Sequence, residues 1–175
     1  MRILFRIAGM ACVLGAGIWT GIEMDRGLKQ RWLFLREVCE ALQIFEKEMT
    51  WQRAAIPESL RSAARSGKTA FGAILLDCAQ TAEEGNGMLF HEIWTGSVTK
   101  GLPAGLLNDT QIQELMHLDS ALCNTDTVLQ KAHLQRQLRT FTELCESAHE
   151  EWKEKGTLYR KLSAAASLAA VILLW

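Results

Sequence analysis

At 175 residues the chain has room for one domain with short flanking segments. Its formal net charge of -1 removes the electrostatic case for nucleic acid or an acidic substrate. Two prolines, one tyrosine and no alternating Val/Ile/Thr runs argue against strands, whereas Ala, Leu, Glu, Gln and Arg favour helix.

The chain opens on an apolar run. Ile7 to Ile22 carries no charge, and the run reaches back to Ile3 if Arg6 snorkels. Residues 3–22 make about 30 Å of helix, enough to cross a hydrocarbon core. Gly15, Ala16 and Gly17 leave a cleaved signal peptide as the alternative. Trp19 and Ile22 prolong the run past that point, and Arg26, Lys29 and Arg31 follow at once, which favours a retained anchor. Cys12 lies inside the run rather than after it, so a lipoprotein cysteine does not fit.

Beyond the anchor, Leu28, Trp32, Leu35, Cys39, Leu42, Phe45 and Met49 recur at helical steps of three and four. Glu37, Glu40, Glu46, Lys47 and Glu48 fall on the other face, where solvation is the default expectation. Ile56-Pro57-Glu58 marks a second start, with proline in the first turn, and Ser66-Gly67 a stop. A third helix is expected over 70–84, with Phe71, Ile74, Leu75 and Cys78 inward. Gly85-Asn86-Gly87 then makes a turn. The fourth spans 88–100, with Leu89, Ile93 and Trp94 on one side, and breaks at Gly101-Leu102-Pro103. The fifth opens at Asn108 or Asp109 as N-cap and buries Ile112, Leu115, Leu118 and Leu122. A last long helix starts near Asp126 and aligns Leu134, Leu138, Phe141, Cys145, Ala148 and Trp152. It runs through a weak point at Gly156 into a second uncharged run, Leu162 to Trp175.

That second run makes only about 21 Å of helix, a length more common for core helices. Its terminal place, the preceding Arg160 and Lys161, and the flanking Tyr159 and Trp175 nevertheless favour an anchor over residues 162–175. Basic residues adjoin both anchors on the middle side, so the middle domain, 23–161, is expected to face the cytoplasm. Gly17 with Gly21, and Ala165 with Ala169, have the small-x-x-x-small spacing that lets helix backbones approach. They are the candidate packing residues, between the two anchors or with a partner. Small residues are also simply common in membrane helices. The fold class expected is therefore all-α, a bundle of about six helices whose first and last members extend into the anchors.

Chemistry is hard to find. Cys145 and His149 are four apart but show only two metal ligands. His91-Glu92 lacks a second histidine, and neither a nucleophile elbow nor a phosphate or dinucleotide loop occurs. No catalytic, cofactor-binding or metal residue is assigned, and no cofactor is expected. Cys12, Cys39, Cys78, Cys123 and Cys145 are odd in number and widely scattered, which points to reduced thiols.

Ala41-Leu42-Gln43-Ile44-Phe45-Glu46-Lys47-Glu48-Met49-Thr50-Trp51, followed by Ile56-Pro57-Glu58-Ser59, resembles the stage III sporulation protein AB family. Arg31 and Leu35-Arg36 fit the same block; Trp94 in the fourth helix, Leu122 with Asp126 and Gln130, and Tyr159 with Leu162 match the family elsewhere in the chain. Asp119 and Cys123 stand where that family has glycines, as does Ser163, and Ala55 replaces a proline. The resemblance implies a non-enzymatic platform component of the sporulation channel complex, similar in role to the inner-membrane platform of type II secretion and type IV pilus machines. It implies residence in the outer membrane around the forespore, with the helical domain in the mother-cell cytoplasm. The partners implied are membrane lipid, a cytoplasmic secretion-type ATPase (stage III sporulation protein AA) and other channel proteins. Glu46, Glu48, Pro57, Asp126 and Gln130 match family positions and are the candidate contact residues; each could equally be a cap or an intrahelical pair. Two other readings stand beside this one: a homo-oligomeric scaffold clustered through the Gly17/Gly21 face, and a small membrane-bound hydrolase using His with Asp or Glu.

Overall fold

A computed structural model describes residues 2–48, 55–84, 87–123 and 127–174; at 2–14, 18, 127, 160, 168 and 170–174 the description is of helix, not of side chains. Every element among these residues is a helix. The elements are α1 (Arg2–Lys47), α2 (Ile56–Arg65), α3 (Ala70–Glu83), α4 (Phe90–Gly101), α5 (Asp109–Met116), α6 (Leu118–Leu122) and α7 (Thr127–Leu174). The expected fifth helix is two, because the chain turns at His117 before α6 begins. Contacts divide the chain into two compact units, Met1–Gln30 with Ser147–Trp175, and Arg31–Glu146.

The larger unit is a bundle around an aromatic seam. Phe34 meets Phe71 edge to face at 5.5 Å, Phe71 meets Trp94 at 6.5 Å, and Phe90 stacks on Trp94 at 6.3 Å. The indole N–H of buried Trp94 donates to the Leu115 carbonyl at 2.9 Å, so the polar end of the ring is satisfied inside the core. The buried face of α1 is wider than the expected stripe. Leu35, Leu42 and Phe45 are buried as foreseen, Phe34, Val38 and Ala41 join them, and Trp32 and Cys39 are only half-buried. All four inward residues expected of α3 are buried. Leu89 is not: it stands 71% exposed at the N-cap of α4, while Ile93 and Trp94 one turn later face inward.

Helix starts are tied down locally. Asn108 accepts from the Gln111 N–H at 2.9 Å, and the Gln111 side chain accepts from the Asn108 N–H at 3.2 Å, a reciprocal N-terminal cap. Arg31 also donates to the Gln111 side-chain oxygen at 3.1 Å and so ties α1 to the start of α5. Pro57 sits in the first turn of α2, where its missing N–H costs no helical bond.

Glu37 departs from the solvated face expected for it. It is buried, and its Oε2 accepts the backbone N–H groups of Lys68 at 3.0 Å and Thr69 at 2.8 Å. These donors at the entry to α3 would otherwise be orphaned, and an anion there is favoured by the helix dipole. A Cβ on Gly67 would lie 2.6 Å from Glu37 Oε1 and 2.7 Å from the Gly72 Cα, and the backbone at Gly72 leaves it no room.

Among the described residues no helix is long and apolar enough to cross a membrane. The anchors expected over 3–22 and 162–175 therefore have no support from the structure, and most of their side chains lie outside those described.

Candidate functional site

The smaller unit is a helical hairpin built from the first thirty residues of the chain and the stretch from Ser147 onward. Its seam is made of small residues. A Cβ on Gly17 would lie 2.6 Å from Ser167 Cβ, and one on Gly21 would collide with the Ser163 hydroxyl, whose Cβ is 3.0 Å away. Two glycines four apart on α1 thus face two serines four apart on α7, and the backbones come close enough that no side chain fits between them. The expected pairing used Ala165 and Ala169 instead; both are exposed. Ser167 donates back to the Ser163 and Ala164 carbonyls at 2.9 Å, and Thr20 to the Gly17 carbonyl at 2.9 Å. These hydroxyls are satisfied by their own helix and need no water.

One buried charge closes the seam. Asp25 accepts from the Trp152 indole N–H at 3.0 Å and lies where a Cβ on Gly156 would be. Lys29 sits over the Trp152 ring at 5.6 Å. The weak point expected at Gly156 is thus a notch for a carboxylate, and α7 runs through it unbroken. Outward, the hairpin shows Trp19, Ile22, Leu158 and Leu162, all exposed.

In the bundle the candidate contact residues have intrachain partners. Glu46 accepts from Gln135 at 2.8 Å, Glu48 accepts from the Ser62 hydroxyl, and buried Gln130 donates to the Leu122 carbonyl at 2.8 Å. Pro57 is half-buried, and Asp126 lies outside the described residues. Three of the five therefore hold helices together, whatever else they touch.

The titratable groups do not converge. His91 Nδ1 meets Asp119 Oδ2 at 2.6 Å and ties α4 to α6, and no cluster of three potential metal ligands forms among the described residues. An open groove of about 470 Å³ runs along α4 past His91, Thr95 and Lys100. Cys39, Cys78, Cys123 and Cys145 are free thiols; Cys12 is outside the described side chains. Burial pushes the Cys39 and Cys78 thiols up to about 12. Burial also raises Cys123 and Cys145, so none has the lowered pKa of an activated nucleophile.

The chain matches the stage III sporulation protein AB family over residues 6–175. A solved structure of Stage III sporulation protein AB (SpoIIIAB) is similar in fold, with a TM-score of 0.59 and 17% sequence identity, covering 70% of this chain and 93% of that one. No curated protein matches in sequence. With all but its first five residues inside that match, the chain belongs to the stage III sporulation protein AB family.

Proposed function

We propose that the chain is a non-enzymatic membrane platform of a sporulation channel complex, which docks a cytoplasmic secretion-type ATPase to the membrane. The observation that carries this reading is the hairpin's inverted character. Gly17, Gly21, Ser167 and Asp25 face the seam, while in the described parts of 3–22 and 162–175 Trp19, Ile22 and Leu162 face outward and no charged side chain does. A stretch of paired helix that packs on small residues and shows no charge outward suits lipid better than water. Residues 3–22 and 162–175 then continue the pair into the bilayer, and the bundle lies on the mother-cell side of the outer forespore membrane. Packing of Gly17 and Gly21 against Ser167 and Ser163 within the chain favours the platform over a scaffold clustered through that face.

The test is co-purification from sporulating membranes solubilised in mild detergent. The full-length chain is expected in the membrane fraction, resistant to alkaline carbonate, and to retain the partner ATPase. Release of the chain by carbonate, or its recovery free of the ATPase, sinks the platform.

A further inference from the structure

Trp32, Arg36, Cys39 and Glu40 recur at helical steps along one stripe of α1. Arg36 lies over the Trp32 ring at 5.9 Å and donates to Glu40 at 2.9 Å. Cys145 of α7 meets this stripe: its sulfur accepts from the Cys39 thiol and from the Trp32 indole, with the Arg36 guanidinium beside it. Farther along the same two helices, Glu46 accepts from Gln135 at 2.8 Å. Within the bundle α1 and α7 therefore run antiparallel, and the two sulfurs face each other across a fixed junction. Both are free thiols and both are half-buried, so neither is sealed from a small solute.

The two thiols are not equivalent. Burial raises both, Cys39 to about 12. At Cys145 burial is opposed by the Cys39 S–H, the Arg36 guanidinium and the Trp32 N–H, each of which favours a thiolate there. At Cys39 the neighbouring sulfur and Glu40 add to burial. Cys145 is thus the member that ionises first, and Cys39 stays protonated against it. Burial keeps the first oxidation slow, since little thiolate is present. Contact makes the second step fast, because the other thiol already stands beside the oxidised sulfur. Cys78 and Cys123 also lie near each other, but Cys78 is sealed in the core.

We propose that Cys145 and Cys39 form a redox modification site, in which Cys145 attacks a peroxide, Cys39 resolves the product, and the resulting disulfide staples α1 to α7. The Cys145 thiolate forms an S–O bond as the peroxide O–O bond breaks, and the departing hydroxide takes up the proton Cys145 lost and leaves as water. The Cys39 sulfur then attacks the sulfenic sulfur, the S–O bond breaks, and the Cys39 proton leaves with the hydroxyl as a second water. The thiol pair gives up two electrons and one peroxide is reduced to two waters. The bond closes the chain from Cys39 to Cys145, which restricts the unfolded chain and so stabilises the bundle. In a reducing compartment it is transient, formed under oxidant and reversed by thiols. It holds whether or not the chain docks an ATPase.

The experiment treats the full-length chain in detergent with hydrogen peroxide, alkylates the remaining thiols and maps the unreduced digest by mass spectrometry. The expected product is a Cys39–Cys145 disulfide within one chain. Its unfolding midpoint in urea should stand above that of the reduced chain, and dithiothreitol should reverse both the bond and the shift. Cys39→Ser should stop at the Cys145 sulfenic acid, which a cyclic 1,3-diketone traps, and Cys145→Ser should leave Cys39 a free thiol at the same dose. If either variant fails to fold, the wild-type map decides. A wild-type chain in which Cys39 and Cys145 stay reduced, pass to sulfinic acids, or pair with other cysteines or with a second chain overturns the site. A Cys39–Cys145 bond that leaves the urea midpoint where it was overturns the staple, and trapping at Cys39 rather than Cys145 overturns the assignment of roles.

Discussion

In the bundle, three large rings meet through their edges and faces, and a Trp94 N–H finds a carbonyl at the centre of the packing. In the hairpin, the closest approach is between glycines and serines, with one carboxylate fitted into a notch beside Gly156. The first arrangement draws its stability from apolar area removed from water. The second, where it is described, depends on shape: dispersion at short range, and hydroxyls satisfied by their own backbone. The two units should therefore fail in different ways. Removing volume should break the bundle, and adding volume should break the hairpin.

The largest expected effect is in the bundle. Trp94→Ala removes a fully buried ring and leaves the Leu115 carbonyl without its donor. The cost should be about 3–5 kcal/mol, read from urea unfolding followed by helical circular dichroism. A change below about 1 kcal/mol would mean that the seam is not the core.

Next comes the hairpin. Gly21→Leu puts a branched side chain where the Ser163 hydroxyl and the Tyr159 carbonyl already stand. Overpacking of this kind costs roughly 1–3 kcal/mol, and here it should appear as separation of the two helices. Spin labels on Glu23 and Thr157, introduced through non-natural residues, should move apart while the bundle's unfolding midpoint holds. Gly15→Leu is the matched control, since nothing lies within 4 Å of its Cβ position. Equal behaviour of the two variants would remove the seam as the determinant of hairpin geometry.

Glu37→Ala sharpens the comparison from inside the bundle, because it removes one carboxylate rather than volume alone. The Lys68 and Thr69 N–H groups lose their acceptor at the start of α3. Loss of a cap of this type costs about 1–2 kcal/mol. Hydrogen exchange at Lys68 and Thr69 should rise before exchange elsewhere in α3 does.

How much of this was legible in the sequence depends on how local each feature is. The inward face of α3 and the Asn108 cap follow from spacing over a few residues, and each is present; of the turn expected at Gly85-Asn86-Gly87, the first two residues lie outside those described. Features set by distant partners were not legible. Glu37 has the periodicity of a solvated residue, and only the passage of Lys68 and Thr69 overhead makes it a buried cap. Leu89 continues an apolar pattern that α4 itself abandons by starting one residue later. The seam shows the same limit. Ala165/Ala169 and Ser163/Ser167 have identical spacing and differ by two residues, roughly 200° around the helix. Spacing alone does not choose between them; the position of Asp25 against Trp152 does. Candidate contacts drawn from the family pattern, such as Glu46 and Gln130, also join helices within the chain, a role set by distant partners that spacing does not reveal.

The smallest effect separates charge from packing within the bundle. Asp77 accepts from Lys100 at 2.7 Å and from the Ser97 hydroxyl at 2.8 Å, and these bonds hold its carboxyl below the ordinary 3.8. A carboxylate whose folded pKa is depressed binds protons more weakly in the folded state than in the unfolded one. Its contribution is therefore whole above about 3.8 and is lost as pH falls through the folded value. Asp77→Asn should lower the unfolding midpoint slightly at neutral pH, where Lys100 is largely in water and the pair is screened. The wild-type and variant curves should then converge as pH falls from 5 toward 3, in a buffer series of constant ionic strength. Curves that stay parallel down to pH 3 would mean that Asp77 contributes through its hydrogen bond to Ser97 alone, and that the bundle, like the hairpin, uses its polar groups for geometry rather than charge.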